Sequence, residues 1–464
     1  MKKLILILLC CCGFMAYSQN VRITLTSKAL ENKTVKLSCV EDRLSLLQKE
    51  RQRKTVAQGD SVVNFELTLD GVSELIISID AYSYSFLAQP GNIYDMRLRD
   101  FNFNLADSFN VLMYRVELPI EILTPENDLT SKIIAFDSKV NDFIVKNRRK
   151  LYPQKDSLTI ASLYALRDEV LKAENGVGYF SDYVKYEFAA IERSLALRNF
   201  NRLRNEFFVD KPMLYFNVGY MDCFNSVFDH YFSKGNKSIS QAELDFWLTT
   251  HNYDDFIDAL GKDSVLRNEK FRELVFVKGM KDVYLDGVYE KSDVINLLEQ
   301  LAKNTKFEEH KTIAENTIEA LLSVSHSGKE FGDFVLKSVS NEKVNLSSLR
   351  DKPLILNFVK LNDVESKREL EVVHAMYDSI KANCNIVTIS CDKNLDALYN
   401  FVKNTKVGSK YQWNMLYFDS NYDLLEYYKV KAFPMFILIS SEGKIMENPM
   451  RNPSEGSLLR FYRL

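Results

Sequence analysis

The stretch L-I-L-N-F-V-K-L-N-D-V-E-S-K-R-E-L at residues 354–370 decides the fold of the carboxy-terminal part of the chain. It joins a short apolar run, Leu354–Phe358, to a helical pattern that we predict over Glu369–Ile380. A second buried strand is predicted at Asn385–Ser390. Strands that alternate with helices in this way predict a sheet flanked by helices, an α/β fold.

Further motifs flank this stretch in a fixed order. They are G-D-F-V-L at 332–336, V-N-L-S-S-L at 344–349, F-P-M-F-I-L at 433–438 and E-G-K-I at 442–445. Together they resemble the thioredoxin-like domains of exported thiol–disulfide oxidoreductases of the TlpA and AhpC/TSA type, in an architecture typical of Bacteroidota. The resemblance implies a thioredoxin-like fold in which the strand Leu354–Phe358 carries the redox loop.

The redox motif of that family, W-C-x-x-C, is missing from this chain. When the two are aligned on Asn357-Phe358, the tryptophan becomes Asn362 and the two cysteines become Asp363 and Ser366. Thiol–disulfide exchange needs a thiolate at a helix N-terminus and a second thiol to resolve the mixed disulfide. A carboxylate and a hydroxyl supply neither, so the sequence predicts a degenerate redox site.

Asp363 has a structural role available to it. Aspartate is a favoured helix N-cap, and Glu365 in the first turn would complement the helix dipole. A general acid–base role would need a partner base, and none lies nearby in the sequence. We therefore predict that Asp363 caps a helix.

Cys391 is the one cysteine predicted to lie near the degenerate site. It closes the strand Asn385–Ser390, and the carboxyl ends of strands in open α/β sheets face the site crevice. It is therefore a candidate for a reactive or metal-contacting thiol. Cys384 cannot be its disulfide partner, because a strand at ~3.3 Å per residue separates the two by more than about 20 Å. Cys39 and Cys223 lie on apolar faces and are predicted to be buried thiols.

Phe433 and Pro434 retain the cis-proline segment of the family. In that family the proline is cis, and the residue before it offers backbone hydrogen bonds to an extended peptide. The resemblance therefore implies a substrate-binding role for Phe433 and Pro434. The alternative is that the fold itself requires this turn.

The preceding chain divides into two regions by periodicity. Apolar alternation predicts an antiparallel, sandwich-like β domain over 19–120, in which the basic cluster Lys49–Lys54 is a solvated loop. Helical periodicity predicts an all-α region over 121–324, whose aromatic stripes form its core. The thioredoxin-like domain is predicted over 325–464.

The first 18 residues have the pattern of a secretory signal. Lys2 and Lys3 precede the apolar run from Leu4 to Tyr17, and Ala16-Tyr17-Ser18 is a small-x-small cleavage signal. A lipoprotein anchor is disfavoured because Cys10 follows two leucines. The predicted location is the periplasm or another exported compartment, with no transmembrane segment after cleavage.

Composition excludes several functional classes. Sixty Lys and Arg against 63 Asp and Glu give a formal charge of −3, without a basic run for binding nucleic acid. The five histidines show no metal-ligand spacing, and no phosphate-binding or dinucleotide motif is present, so no cofactor is predicted.

Three functional hypotheses follow. The first is an exported, redox-inactive accessory protein that binds a peptide or an envelope protein near Pro434. The second is an enzyme, a thiol–disulfide oxidoreductase or peroxidase that uses Cys391. The third is that the thioredoxin-like domain is purely structural and that the helical region carries the function.

Overall fold

The computed structural model describes residues 19–103, 116–235, 239–325, 328–403 and 410–462. The predicted signal segment, residues 1–18, lies outside the described residues. Three regions follow one another: a pair of largely antiparallel sheets, a helical region and a mixed sheet flanked by helices.

The first region contains two sheets that share one core. Their orders are β4-β1-β7-β9 and β3-β2-β5-β6-β8, and pairing is antiparallel except between β1 and β7 and between β6 and β8. As the alternation predicts, Val35, Leu37 and Cys39 face the shared core. The strands are β1 Gln19–Thr26, β2 Thr34–Val40, β3 Gln48–Thr55, β4 Val62–Leu69, β5 Ser73–Ile79, β6 Tyr82–Ala88, β7 Ile93–Leu98, β8 Val116–Glu117 and β9 Ile120–Thr124.

The basic cluster Lys49–Lys54 is part of a strand, and its prediction as a loop was wrong. It lies within β3, which pairs with β2 at the outer position of its sheet, and most of its side chains are exposed. An edge strand needs only one neighbour for its hydrogen bonds, and charged side chains discourage pairing with another chain. Such a strand carries no apolar alternation, which is why periodicity did not reveal it.

The second region is helical, and aromatic residues fill its core. Tyr220, Phe224 and Phe228 are completely buried, which confirms that the aromatic stripes are core. Leu44 of the first region is buried in the same core, and the Lys281 ammonium donates to its carbonyl at 2.6 Å. The helices are α1 Leu129–Lys146, α2 Arg148–Leu151, α3 Ser157–Ala173, α4 Tyr179–Ser194, α5 Phe200–Phe207, α6 Val218–Val227, α7 Gln241–Thr250, α8 Tyr253–Leu260, α9 Glu269–Asp286, α10 Lys291–Asn304 and α11 Glu308–Ser325.

The third region is a seven-stranded mixed sheet in the order β11-β10-β14-β13-β12-β15-β16. Its central strand β12 runs parallel to β13 and antiparallel to β15. The elements are β10 Val335–Ser338, β11 Lys343–Asn345, β12 Leu354–Val359, α12 Val364–Ile380, β13 Asn385–Ser390, α13 Leu395–Lys403, β14 Asn414–Tyr417, α14 Tyr422–Tyr427, β15 Met435–Ile439 and β16 Ile445–Met450. None of the helices in the described ranges has the length and apolar content that crossing a bilayer would require.

Helix α12 begins at Val364, earlier than the predicted start at Glu369. Four of its first five residues are exposed, so this turn presents no apolar face to periodicity. The cap at Asp363 marks the start instead.

Ion pairs join the first region to α14. The Lys36 ammonium bonds to Asp423 and lies 3.2 Å from the Glu426 carboxylate, and Arg53 bonds to the other oxygen of Asp423. The strand that carries Arg53 is the basic edge strand β3. One cation from β3 and one from β2 therefore contact the same carboxylate of α14.

Candidate functional site

All the predicted site residues lie at one edge of the mixed sheet, where β12 and β13 end and β15 begins. Val359 at the end of β12 pairs with Ser390 at the end of the parallel strand β13. Phe358 pairs with Met435, the first residue of the antiparallel strand β15. The loop after β12, the segment after β13 and the segment before β15 therefore lie side by side.

Asp363 caps helix α12, as predicted. Its carboxylate accepts a hydrogen bond from the backbone N–H of Ser366 at 2.7 Å, and its carbonyl accepts from the N–H of Lys367 at 3.1 Å. The cap satisfies donors that the first helical turn would otherwise leave unpaired. The carboxylate thus has a structural partner at the position where the family places a thiol.

Ser366 is completely buried beneath the first turn of α12. Its hydroxyl oxygen lies 3.4 Å from the backbone nitrogen of Lys360, which donates to it across the loop. The second degenerate position therefore contributes to the packing of the loop on the helix and offers no surface to a solvent-borne substrate.

Cys391 lies at this edge but is closed to solvent. Only 2% of its surface is exposed, and its backbone N–H donates to the carbonyl of Val359 at 2.8 Å. Burial raises the pKa of the Cys391 thiol well above its usual value, and the charge of Asp392 adds to the increase. The neutral thiol, which is a poor nucleophile and a poor metal ligand, is therefore favoured.

Asp392 is a site residue that the sequence analysis missed. Its buried carboxylate accepts from the N–H of Leu361 at 3.0 Å and from the hydroxyl of Ser390 at 2.7 Å. It thereby joins the loop after β12 to the end of β13. The sequence feature that could have identified Asp392 is its position as an acidic residue two places beyond a buried strand.

The segment before β15 supplies the open part of the edge. Phe433 and Pro434 are half-buried, and the peptide bond between them is cis. Val364, which stands between the two degenerate positions, exposes 75% of its surface. The edge therefore presents the apolar side chain of Val364 to solvent at the same end of the sheet as the segment before β15.

The remaining cysteines lie away from this edge and are buried. None of the four described cysteines forms a disulfide. Burial raises the pKa of both Cys384 and Cys223 to about 12. The prediction that Cys39 and Cys223 are buried thiols is confirmed.

One group of potential metal ligands occurs within the described ranges, in the helical region. It comprises Asp229, His230 and Asp282. The ammonium of Lys278 lies 2.5 Å from Asp282 and 3.6 Å from Asp229. A protein cation thus already neutralises these carboxylates, and the arrangement is that of an ion-pair network.

Comparisons with known proteins agree with the fold of the third region. A sequence family described as thioredoxin-like matches residues 351–445. The thiol-disulfide oxidoreductase ResA of Bacillus subtilis is 26% identical over 121 residues, which are 26% of this chain and 65% of that protein. The protein of the same name from Bacillus anthracis is 26% identical over 121 residues, 26% of this chain and 67% of that protein. The match thus spans about two thirds of these relatives.

Matches among solved structures include two chains from Bacteroides. A thiol-disulfide oxidoreductase from Bacteroides fragilis is 22% identical, covering 28% of this chain and 98% of its own, with a TM-score of 0.25. A thioredoxin-like protein from Bacteroides caccae is 15% identical, covering 51% of this chain and 91% of its own, with a TM-score of 0.28. The protein is thus a multidomain chain with a carboxy-terminal thioredoxin-like domain related to the thiol–disulfide oxidoreductases.

Proposed function

We propose that this protein is an exported accessory protein whose thioredoxin-like domain binds a peptide or protein segment without exchanging disulfides. The observation that carries the proposal is the use of Asp363 and Ser366. One caps a helix and the other is buried under it, at the two positions where the chemistry of the family would need thiols. These two contacts support a site without a nucleophile at the start of α12.

The chemistry of the edge supports redox inactivity. A carboxylate cannot form a mixed disulfide, and a buried hydroxyl cannot resolve one. Cys391 is the one described cysteine at this edge, and its burial and raised pKa oppose formation of the thiolate.

The open surface of the edge supports binding. Val364 is exposed at the first turn of α12, at the same end of the sheet as the half-buried Phe433 and Pro434. A single exposed apolar side chain is ordinary on a protein surface. Here it lies where the domain also offers the ends of several strands, so an extended segment could contact both side chains and backbone.

Photo-crosslinking tests the binding proposal. A benzophenone amino acid is introduced at Val364 in one variant and at Leu158 in a control, because Leu158 is 78% exposed in the helical region. After irradiation in an envelope extract, we expect adducts specific to the Val364 variant. Identical adducts from the two positions, or none from Val364, would contradict binding at this edge.

A second candidate, an oxidoreductase or peroxidase that uses Cys391, is favoured by the names of the Bacillus relatives. An insulin-reduction assay with dithiothreitol separates it from the first, with C391S as the matched variant. We expect that neither the parent protein nor C391S reduces insulin faster than dithiothreitol alone. An activity that C391S abolishes would establish the enzyme and overturn redox inactivity.

A further inference from the structure

We propose that α14 is a lid over Cys391, and that the first region holds this lid closed through Lys36 and Arg53. Release of these two cations would allow α14 to move and would open a path from solvent to the thiol. This role of α14 is independent of the binding proposed above, and it makes the arrangement of the regions control access to a buried cysteine.

Helix α14 packs on the face of the mixed sheet that holds Cys391. Phe358 of β12 pairs with Ile389 of β13, and Cys391 follows Ile389 by two residues, so the three side chains share one face of the sheet. The ring of Tyr428, the residue at which α14 ends, lies 5.9 Å from the ring of Phe358. The end of α14 is thus fixed over the face in which the thiol is buried.

The first residue of α14, Tyr422, lies near both Cys391 and the first region. Its ring centroid is 5.8 Å from that of Phe418, whose N–H donates to the carbonyl of Ser390 at 3.1 Å. Burial raises the pKa of Tyr422 to about 12, and Asp80, in the turn between β5 and β6, and the Cys391 thiol add to the increase. Charged groups change a pKa in this way only from nearby.

Two cations of the first region meet one carboxylate of α14. Lys36 on β2 is the cross-strand neighbour of Arg53 on β3, and like charges that face each other in a sheet repel. Asp423, the second residue of α14, offsets this repulsion, because one of its carboxylate oxygens bonds to Lys36 and the other to Arg53. The Glu426 carboxylate, on the next turn of α14, lies 3.2 Å from the same ammonium.

Lys36 contributes more to the closed position than Arg53 does. Within the part of the chain that the structure describes, both carboxylates that form ion pairs with Lys36 belong to α14, and only 12% of its side chain is exposed. Arg53 has a second partner on its own strand, Glu50 at 2.8 Å. When α14 moves away, Lys36 loses both of its ion pairs, whereas Arg53 retains one.

Hydrogen exchange of the full chain tests the lid, with K36E and K49E as matched variants. K36E places a third carboxylate beside Asp423 and Glu426. Lys49 lies on β3 and pairs with Glu319 of the helical region at 2.9 Å, so K49E makes the same change of charge away from α14. We expect the amides of a peptide that spans α14 to exchange about fivefold faster in K36E, as for the loss of partly exposed ion pairs, and at the parent rate in K49E.

Alkylation of Cys391 by iodoacetamide in the same samples tests what the lid covers. The rate should rise about fivefold in K36E and stay unchanged in K49E. Salt provides the same test without a substitution, because raising it from about 0.01 M to about 1 M shortens the Debye length from about 30 Å to about 3 Å. This change should accelerate exchange and alkylation in the parent and in K49E, and should have a smaller effect in K36E.

The possible results are distinct. Unchanged exchange of α14 in K36E would show that the first region does not hold the lid, and faster exchange with unchanged alkylation would show that α14 does not shield Cys391. Equal acceleration in K36E and K49E would also overturn the proposal. The salt dependence of the parent requires no variant, and its absence would overturn the proposal even if K36E did not fold. None of these results bears on the proposed binding, which the adducts from Val364 test separately.

Discussion

The loop after β12 and the end of β13 lie next to each other, and each holds half of what a redox site requires. The loop leads into the N-terminus of α12, where a thiolate would be stabilised, but its side chains there are Asp363 and Ser366. The end of β13 holds a thiol, Cys391, in surroundings that disfavour its thiolate.

The comparison shows that the backbone arrangement of the edge and the reactivity of its side chains are separate properties. Asp392 bonds to the loop through Leu361 and to the strand through Ser390, so the two halves are fixed relative to each other. Within this edge, no thiol stands at the start of α12, and the thiol at the end of β13 is buried. The fold of the domain alone therefore does not determine the chemistry of this edge, which depends on the side chains at these positions.

The largest effect expected at the strand end is protection of Cys391. In the native protein we expect iodoacetamide to alkylate it at least about a thousandfold more slowly than in the urea-unfolded chain, because a core thiol reacts only after an opening of several kcal/mol. Between pH 7 and 9 the native rate, although far lower, should rise by the larger factor, because burial raises the pKa of the folded thiol well above its usual value while the unfolded thiol titrates within this range. Peptide mapping by mass spectrometry gives both rates. Rapid native alkylation would show that the thiol is available.

Removing the Asp392 carboxylate, which joins the loop after β12 to the end of β13, should lower the free energy of unfolding. D392A removes a carboxylate that accepts from Leu361 and Ser390 and leaves a buried N–H without its partner. We expect a loss of about 2–3 kcal/mol in the free energy of unfolding, from hydrogen bonds to a charged group. Urea denaturation measures the loss.

D392N is the matched control for that change, because the amide keeps an acceptor and removes the charge. It should retain part of the stability. If D392A and D392N were both as stable as the parent, the two halves would be held together by other contacts.

Much of this edge could be predicted from the sequence, and the missing parts have physical reasons. Apolar runs located β12 and β13 because buried strands are defined by their own side chains. The role of Asp392 depends on a neighbouring strand that is distant in sequence. The prediction of Asp363 as a cap succeeded because a cap bonds within its own helix.

The basic strand β3 is an element that the sequence did not predict. Its pattern of Lys and Arg is typical of a solvated segment. It is a strand because its backbone pairs with β2, and its Arg53 forms an ion pair with Asp423, which is distant in sequence. Periodicity detects the burial of a strand face and has no access to such long-range partners.

Introducing two cysteines at positions 363 and 366 tests whether the backbone of this loop can still support thiol–disulfide exchange. D363C/S366C places two thiols at the start of α12, where a thiol pKa near 7 would make about half of it thiolate at pH 7, about fifteenfold more than a free cysteine. We expect insulin reduction to rise above the dithiothreitol background, at which the parent is expected to remain. D363C alone should form mixed disulfides without turnover. A folded but inactive double variant would mean that the loop geometry, as well as the thiols, has diverged.

The smallest expected effect distinguishes the structural role of Asp363 from its charge. D363A should lower the free energy of unfolding by about 1 kcal/mol, the usual cost of a lost N-cap, whereas D363N retains a side-chain acceptor and should lose little. Thermal denaturation of both variants checks the difference. If D363N lost as much stability as D363A, the charge of Asp363, and not its hydrogen bond to the N–H of Ser366, would account for the stabilisation.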